Sequence, residues 1–295
     1  ASSPKSFPIP AFLPRCLPMQ SSSLLSSFPP APPIALSLES EPTTEVKTKS
    51  SSPPPDFIPR VLPARQVHLF SGASGAGKTA LTFSLLASMH QSKPFFDMAI
   101  RKPSFIGYLA ADRTWDDHEI WLNTVGLPSL PYYSLIDDPS INGKAIRGKK
   151  VGDRFDLFRR CVAGILINSG LASPTTSIDE ALKSLPWDSF IIVDPISLFL
   201  GGDLNRYDTV YSHMLDLNQF CLRYSCTLLG IAHAGKQKAD SAQRYTRAQD
   251  RIVGTTAQTG CAGTTMHLSP PSETGQDWSE WTLVPHHAAA QTMKL

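Results

Sequence analysis

The strongest constraint on this chain is an eight-residue run, Gly72-Ala73-Ser74-Gly75-Ala76-Gly77-Lys78-Thr79, which fills the pattern G-x-x-x-x-G-K-[ST] in full. It follows Gln66-Val67-His68-Leu69-Phe70, which reads as a short strand, and precedes Ala80 to His90, where Leu81, Leu85 and Leu86 fall on one side of a helix. Strand, glycine turn and helix in that order make a phosphate cradle, because glycines let successive backbone N–H groups turn inward and the helix N-terminus adds a positive dipole end. All eight residues are expected to bind a nucleotide, with Lys78 at the β- and γ-phosphates and the Thr79 hydroxyl on Mg²⁺. The bland alternative is a structural glycine turn.

Asp194 is expected to complete such a site. It ends the apolar run Phe190-Ile191-Ile192-Val193, whose character on both faces suits a central parallel strand. A carboxylate at the carboxyl end of a neighbouring strand can hold Mg²⁺ or its water opposite Thr79. A second buried strand, Ser104 to Ala110, leads to Asp112, a candidate for orienting an attacking water; alternatively Asp112 pairs with Arg113 or Arg101 at the surface. A third, Thr227 to Ala232, ends at His233, which suits a sensor of the γ-phosphate or a satisfied core histidine.

Helices are expected between these strands. Asp116 to Val125 stops at Gly126, Phe155, Phe158, Val162 and Ile165 recur at helical spacing, and Ser177-Ile178-Asp179-Glu180 forms a capping box for a helix to Leu185. Tyr207, Val210, Tyr211, Met214, Leu217, Cys221 and Tyr224 mark one face of another, and Thr264 to Leu268 and Trp281 to Val284 read as further strands. The alternation specifies an α/β fold, a mostly parallel twisted sheet flanked by helices. Residues 138–153, with Lys144, Arg147, Lys149 and Lys150, read as an exposed loop, either a functional lid or a solvated turn.

Composition matters at the ends of the chain. Thirteen of the 26 prolines and 13 serines crowd residues 1–55, too polar and rigid a stretch to bury a core, so residues 1–56 are expected to be a disordered tail and 57–295 the folded domain. Residues 1–38 carry Lys5 and Arg15 and no acid, too few basic residues for a transit peptide. A net charge of +2 excludes a grossly basic nucleic-acid coat, though not a local basic loop. The longest apolar candidate, Phe190 to Leu200, is broken by Asp194, Pro195 and Ser197, so no membrane span is expected and a cytoplasmic setting is. Cys16, Cys161, Cys221, Cys226 and Cys261 lack a C-x-x-C and read as reduced, mostly buried thiols; His286-His287 has no third ligand at metal spacing.

The segment after His233 is polar and basic. Lys236, Lys238, Arg244, Tyr245, Arg247 and Arg251 could follow a phosphate backbone and stack a base on Tyr245, reach a neighbouring subunit's γ-phosphate, or form a plain solvated loop.

These motifs resemble the RecA-type ATPases and, within them, the RepA-like replication helicases of phages and plasmids. The resemblance rests on Gly72 to Thr79, Tyr108-Leu109-Ala110-Ala111-Asp112-Arg113, Phe190 to Pro195 and Gly230-Ile231-Ala232-His233-Ala234-Gly235-Lys236, and extends over about residues 58–295. It implies a RecA-like P-loop core in a homo-oligomeric ring, usually a hexamer, with ATP and Mg²⁺ between subunits and single-stranded DNA in the channel. Catalytic roles are implied for Lys78, Asp112 and His233, with Lys236 or Arg251 acting in trans, and DNA contacts for Lys238, Arg244, Tyr245 and Arg247. Family members commonly carry Glu where this chain has Asp112, a side chain one methylene shorter, a difference that bears on the hydrolysis rate and not on nucleotide binding. No primase-binding domain of the DnaB kind is expected in the tail, so a loader or other replication protein, or an already open fork, is implied, in a host's cytoplasm. The competing readings are a nucleotide-switched regulatory module of the RecA/KaiC type, acting on a protein partner, and a small-molecule kinase, for which no arginine-rich lid or acceptor-site signature is visible.

Overall fold

Strands that are apolar on both faces must be covered on both faces, and the chain meets that requirement with helices on either side of one sheet. The structure, a computed structural model, describes residues 55–138, 151–201, 204–233, 256–270, 279–285 and 291–295, all within a compact unit, Pro32–Leu295. Its strands are β1 (Val67–Gly72), β2 (Phe105–Ala110), β3 (Tyr132–Ser134), β4 (Ser189–Asp194), β5 (Cys226–His233), β6 (Thr264–Ser269), β7 (Glu280–Pro285) and β8 (Gln291–Lys294). They form an eight-stranded sheet in the order β3-β2-β4-β5-β1-β6-β7-β8. The pairs from β3 to β6 are parallel, and β7 and β8 close the far side as an antiparallel extension. This is the mostly parallel α/β sheet expected of a RecA-like P-loop core.

The helices are α1 (Lys78–Gln91), α2 (Trp115–Val125), α3 (Val151–Asn168), α4 (Ile178–Lys183), α5 (Tyr207–Tyr224) and α6 (Thr256–Cys261). Because side chains alternate along a strand, Leu109, Ile191, Val193 and Leu228 pack with Phe158, Val162 and Ile165 of α3 and Val210, Met214 and Leu217 of α5. The residues between them, including Tyr108, Ile192 and Leu229, pack with Phe83, Leu86 and Met89 of α1 and Leu122 of α2. Two dry layers result, and they account for the burial of all six residues of β1 and of β4. Gly126 closes α2 in the left-handed region, and the Ser177 hydroxyl accepts from the Glu180 N–H at 3.3 Å, as the capping box requires.

Two local expectations need correction. Tyr207 and Tyr211 do not join the buried face of α5; they stack on each other in solvent, 51% and 41% exposed, while His213 and Phe220 turn inward. The periodicity is the same, but the buried stripe is rotated toward the sheet by about one residue. Residues 151–153 of the expected loop belong to the first turn of α3. The edge strands β3 and β8 were legible from no local pattern, being only three and four residues long. Cys161, Cys221 and Cys226 are buried and Cys261 is half-buried, while Cys16 lies outside the described residues. Among the described residues no helix is long and apolar enough to cross a membrane.

His68 is wholly buried on β1, its Nε2 donating to the Pro63 carbonyl at 2.8 Å. Burial pushes its pKa from 6.5 down to about 4, a shift only partly opposed by that hydrogen bond. The unfolded chain therefore takes up a proton that the folded chain refuses. Stability from this group is complete above about pH 6.5 and is lost progressively toward pH 4, by about 3 kcal/mol. Urea unfolding at pH 7 and pH 4.5 is expected to show that loss, and His68→Gln to reduce the difference; an unchanged difference would contradict the assignment.

Candidate functional site

All parallel strands end on the same side of the sheet, and strand order decides which strand ends become neighbours. Strand β5 lies between β1 and β4, with His233 in register with Gly72, and β2 lies on the other side of β4, with Ala110 in register with Asp194. The Ala111 N–H donates to the Asp194 carbonyl at 2.7 Å, continuing this pairing to the turn that carries Asp112. The carboxyl edge thus presents Asp112, Asp194, His233 and the glycine loop on four adjacent strands, β2, β4, β5 and β1.

The loop's backbone explains its glycines. A Cβ on Gly72 would lie 2.7 Å from the Leu268 carbonyl oxygen of β6, too close for any side chain. Gly77 has φ 94° and leads directly into α1, whose first residue is Lys78. No side chain caps this helix, so its first N–H groups face the loop, as an anion site needs. The Lys78 ammonium donates to the carbonyls of Gly72 and Ala73 at 2.7 and 2.8 Å, which holds it inside the loop's arch. Burial lowers its pKa, with Asp194 pulling the other way and Arg113 adding to the depression. Thr79 follows in the first turn, half-buried.

Asp194 is 8% exposed, and its Oδ2 accepts a 2.9 Å hydrogen bond from the Tyr108 hydroxyl. Oδ1 and the Thr79 hydroxyl are hard oxygen donors of the kind Mg²⁺ takes, so this donor set fits the ion. Asp112 sits at the exposed rim, yet desolvation of its inner side raises its carboxyl above the ordinary value, and the Asp194 charge raises it further. Arg113, His233 and His118 oppose that rise. Arg101 is not its partner: Arg101 pairs with Asp188 and donates to the Pro55 carbonyl at 2.8 Å, far from this edge in the chain's register. His233 is exposed at the end of β5.

Two further residues belong to this edge, and the sequence assigned neither a role. Tyr108 reaches Asp194 from the next strand, and His118 of α2, 2% exposed, lies with its ring 4.6 Å from that of Tyr108. Burial lowers the His118 pKa, against a 3.1 Å contact of its Nδ1 with the Thr114 carbonyl. Only the register of β2 against β4 brings these residues to the site. The expected residues Lys236, Lys238, Arg244, Tyr245, Arg247 and Arg251 lie outside the described residues, as do Lys144, Arg147, Lys149, Lys150, His286 and His287.

A family model described as AAA domain matches residues 32–239, more than half of the chain. The chain belongs to the AAA domain family. The family match spans the glycine loop, Asp112, Asp194 and His233. Among solved structures, a KaiC-like protein from the hyperthermophilic archaeon Pyrococcus horikoshii is 12% identical with a TM-score of 0.45, over 79% of this chain and 84% of that one. A second solved structure, an ATPase domain, is 11% identical with a TM-score of 0.46, over 78% of this chain and 81% of that one. No curated protein matches the chain.

Proposed function

We propose that this member of the AAA domain family is a Mg²⁺-dependent ATPase motor of the RepA-like type, working on single-stranded DNA in the replication of a mobile element. The observation that carries the reading is the common edge on which a complete glycine loop, Lys78, Asp194 and Asp112 come together. Gly72 to Thr79 hold the triphosphate through backbone N–H groups, and Lys78 leaves its loop carbonyls for the β- and γ-phosphates. Thr79 and Asp194 hold Mg²⁺, which when bound neutralises charge on the phosphates. Asp112 orients the attacking water, and His233, beside Gly72 in register, senses the γ-phosphate and relays its state along β5.

The remaining parts of the proposal rest on sequence. Residues 57–295 form the ATPase domain, and the chain assembles as a ring, a hexamer by resemblance, so that Lys236 or Arg251 reaches a neighbour's nucleotide. Lys238, Arg244, Tyr245 and Arg247 contact the DNA, the basic side chains on phosphates and Tyr245 on a base. The setting is the cytoplasm, with a loader or other replication protein as partner.

A second reading has one observation in its favour. Asp112 is shorter than the usual Glu and its carboxyl is raised by burial and by Asp194, which suits slow hydrolysis in a nucleotide-switched module acting on a protein partner. Steady-state ATP hydrolysis with Mg²⁺, with and without single-stranded DNA, over protein concentrations that span assembly, separates the two. The motor reading expects single-stranded DNA to stimulate hydrolysis. It also expects the stimulation to rise cooperatively with protein concentration. Tight ATP binding with slow turnover indifferent to DNA would select the switch.

A further inference from the structure

We propose that Tyr108 is a positioning residue that sets the distance between the two side chains of the metal site, Thr79 and Asp194; this deepens the ATPase reading and rests on it. The geometry begins with strand alternation. Tyr108 stands opposite Ile192 on the neighbouring strand, two residues before Asp194, and points to the same side of the sheet as α1 and α2. Its side chain leans along the strand toward the carboxyl edge, so the hydroxyl donates to Asp194 Oδ2 at 2.9 Å. One carboxylate oxygen is thereby fixed by a neutral donor and the other is aimed.

The phenol ring is itself held on two sides. Phe83 of α1 stacks on it at 5.4 Å with an interplanar angle of 11°, and His118 of α2 lies against it at 4.6 Å. Phe83 and His118 also meet, at 5.9 Å, so the three rings form a closed cluster that is at most 2% exposed. Phe83 stands four residues after Thr79, one turn further along the same face of α1. The same phenol therefore touches the helix that carries the hydroxyl ligand and the carboxylate that opposes it. A buried, ring-clamped hydroxyl also cannot wander, because leaving Asp194 would strand it without a partner inside an apolar layer.

A purely structural tyrosine would support the fold without regard to the metal. A spacer for the metal site would instead alter cation affinity while leaving the glycine loop's hold on the triphosphate intact. Tyr108→Phe removes only the hydroxyl and keeps the ring cluster, and Phe83→Leu keeps the hydroxyl while loosening the clamp. The test is Mn²⁺ binding to the ATP-loaded full chain, followed by electron paramagnetic resonance, alongside the affinity for a fluorescent ATP analogue in EDTA. Tyr108→Phe is expected to weaken Mn²⁺ about tenfold, in line with loss of one hydrogen bond to a charged group, with metal-free nucleotide affinity unchanged. Phe83→Leu is expected to show the same split with a smaller factor. Mn²⁺ affinity equal to wild type in both variants would overturn the spacer role. So would a parallel loss of metal-free nucleotide affinity, which marks general loosening. Wild-type protein that binds neither ATP nor Mn²⁺ would overturn the ATPase reading itself, and the spacer role with it.

Discussion

Lys78→Ala is expected to lower ATP turnover by on the order of 10²–10³-fold, the range seen when one preorganised donor to developing charge is removed. The effect is electrostatic. The ammonium sits inside the loop's arch, within 2.7–2.8 Å of two carbonyls that carry no competing negative charge. A phosphate arriving at the loop offers a full anionic partner in a partly desolvated site, where Coulomb attraction is much stronger than in water. Burial already lowers the Lys78 pKa, so an added anion favours the charged form that it meets. Alanine removes that partner while the glycine turns and the α1 N-terminus remain. ATP affinity is therefore expected to fall and turnover to collapse, with the circular dichroism spectrum unchanged. Turnover within a few-fold of wild type would mean that the loop does not hold the hydrolysed nucleotide.

Asp112→Asn is expected to retain ATP binding and slow hydrolysis by on the order of 10²-fold, the lower range for loss of a positioned acid–base group. Asp112 lies beyond the end of β2, next to Asp194 across the β2–β4 pairing and away from the glycine loop, so the amide leaves the phosphate cradle intact. Its raised pKa has a direction that can be checked. Partial burial and the Asp194 charge hold the proton, so the ionised form required for orienting water is lost as pH falls, at a higher pH than for an ordinary carboxylate. Wild-type turnover should therefore decline on mild acidification, and the Asn variant should show a flat residual rate over the same interval. Normal turnover in Asp112→Asn would move the water-orienting role to another residue.

The glycine loop was legible because its requirements are local. Gly72, Gly77, Lys78 and Thr79 act within eight consecutive residues, and the flanking strand and helix follow from periodicities of two and about 3.6 residues. Asp194 was legible for a similar reason, since a carboxylate directly after four apolar β-type residues must sit at a strand end. The Ser177 capping box and the Gly126 stop are likewise decided by near neighbours. Helix α5 marks where this kind of reading fails. Its apolar period fits two adjacent stripes, and the position of β1 and β5 beneath it, unknown to the local sequence, selects the one with His213 and Phe220 and leaves Tyr207 and Tyr211 in water.

The sequence by itself determined a glycine-loop α/β protein with a mostly parallel sheet, because two-faced apolar strands separated by amphipathic helices admit few other solutions. Tertiary structure alone decided which strand ends meet. Insertion of β5 between β1 and β4 sets His233 beside Gly72, and pairing of β2 with β4 brings the Tyr108 hydroxyl to a carboxylate 86 residues away in the chain. Periodicity specifies the face a side chain takes, whereas its neighbour across the sheet depends on strand order and register, which long-range packing chooses from alternatives that are locally equivalent.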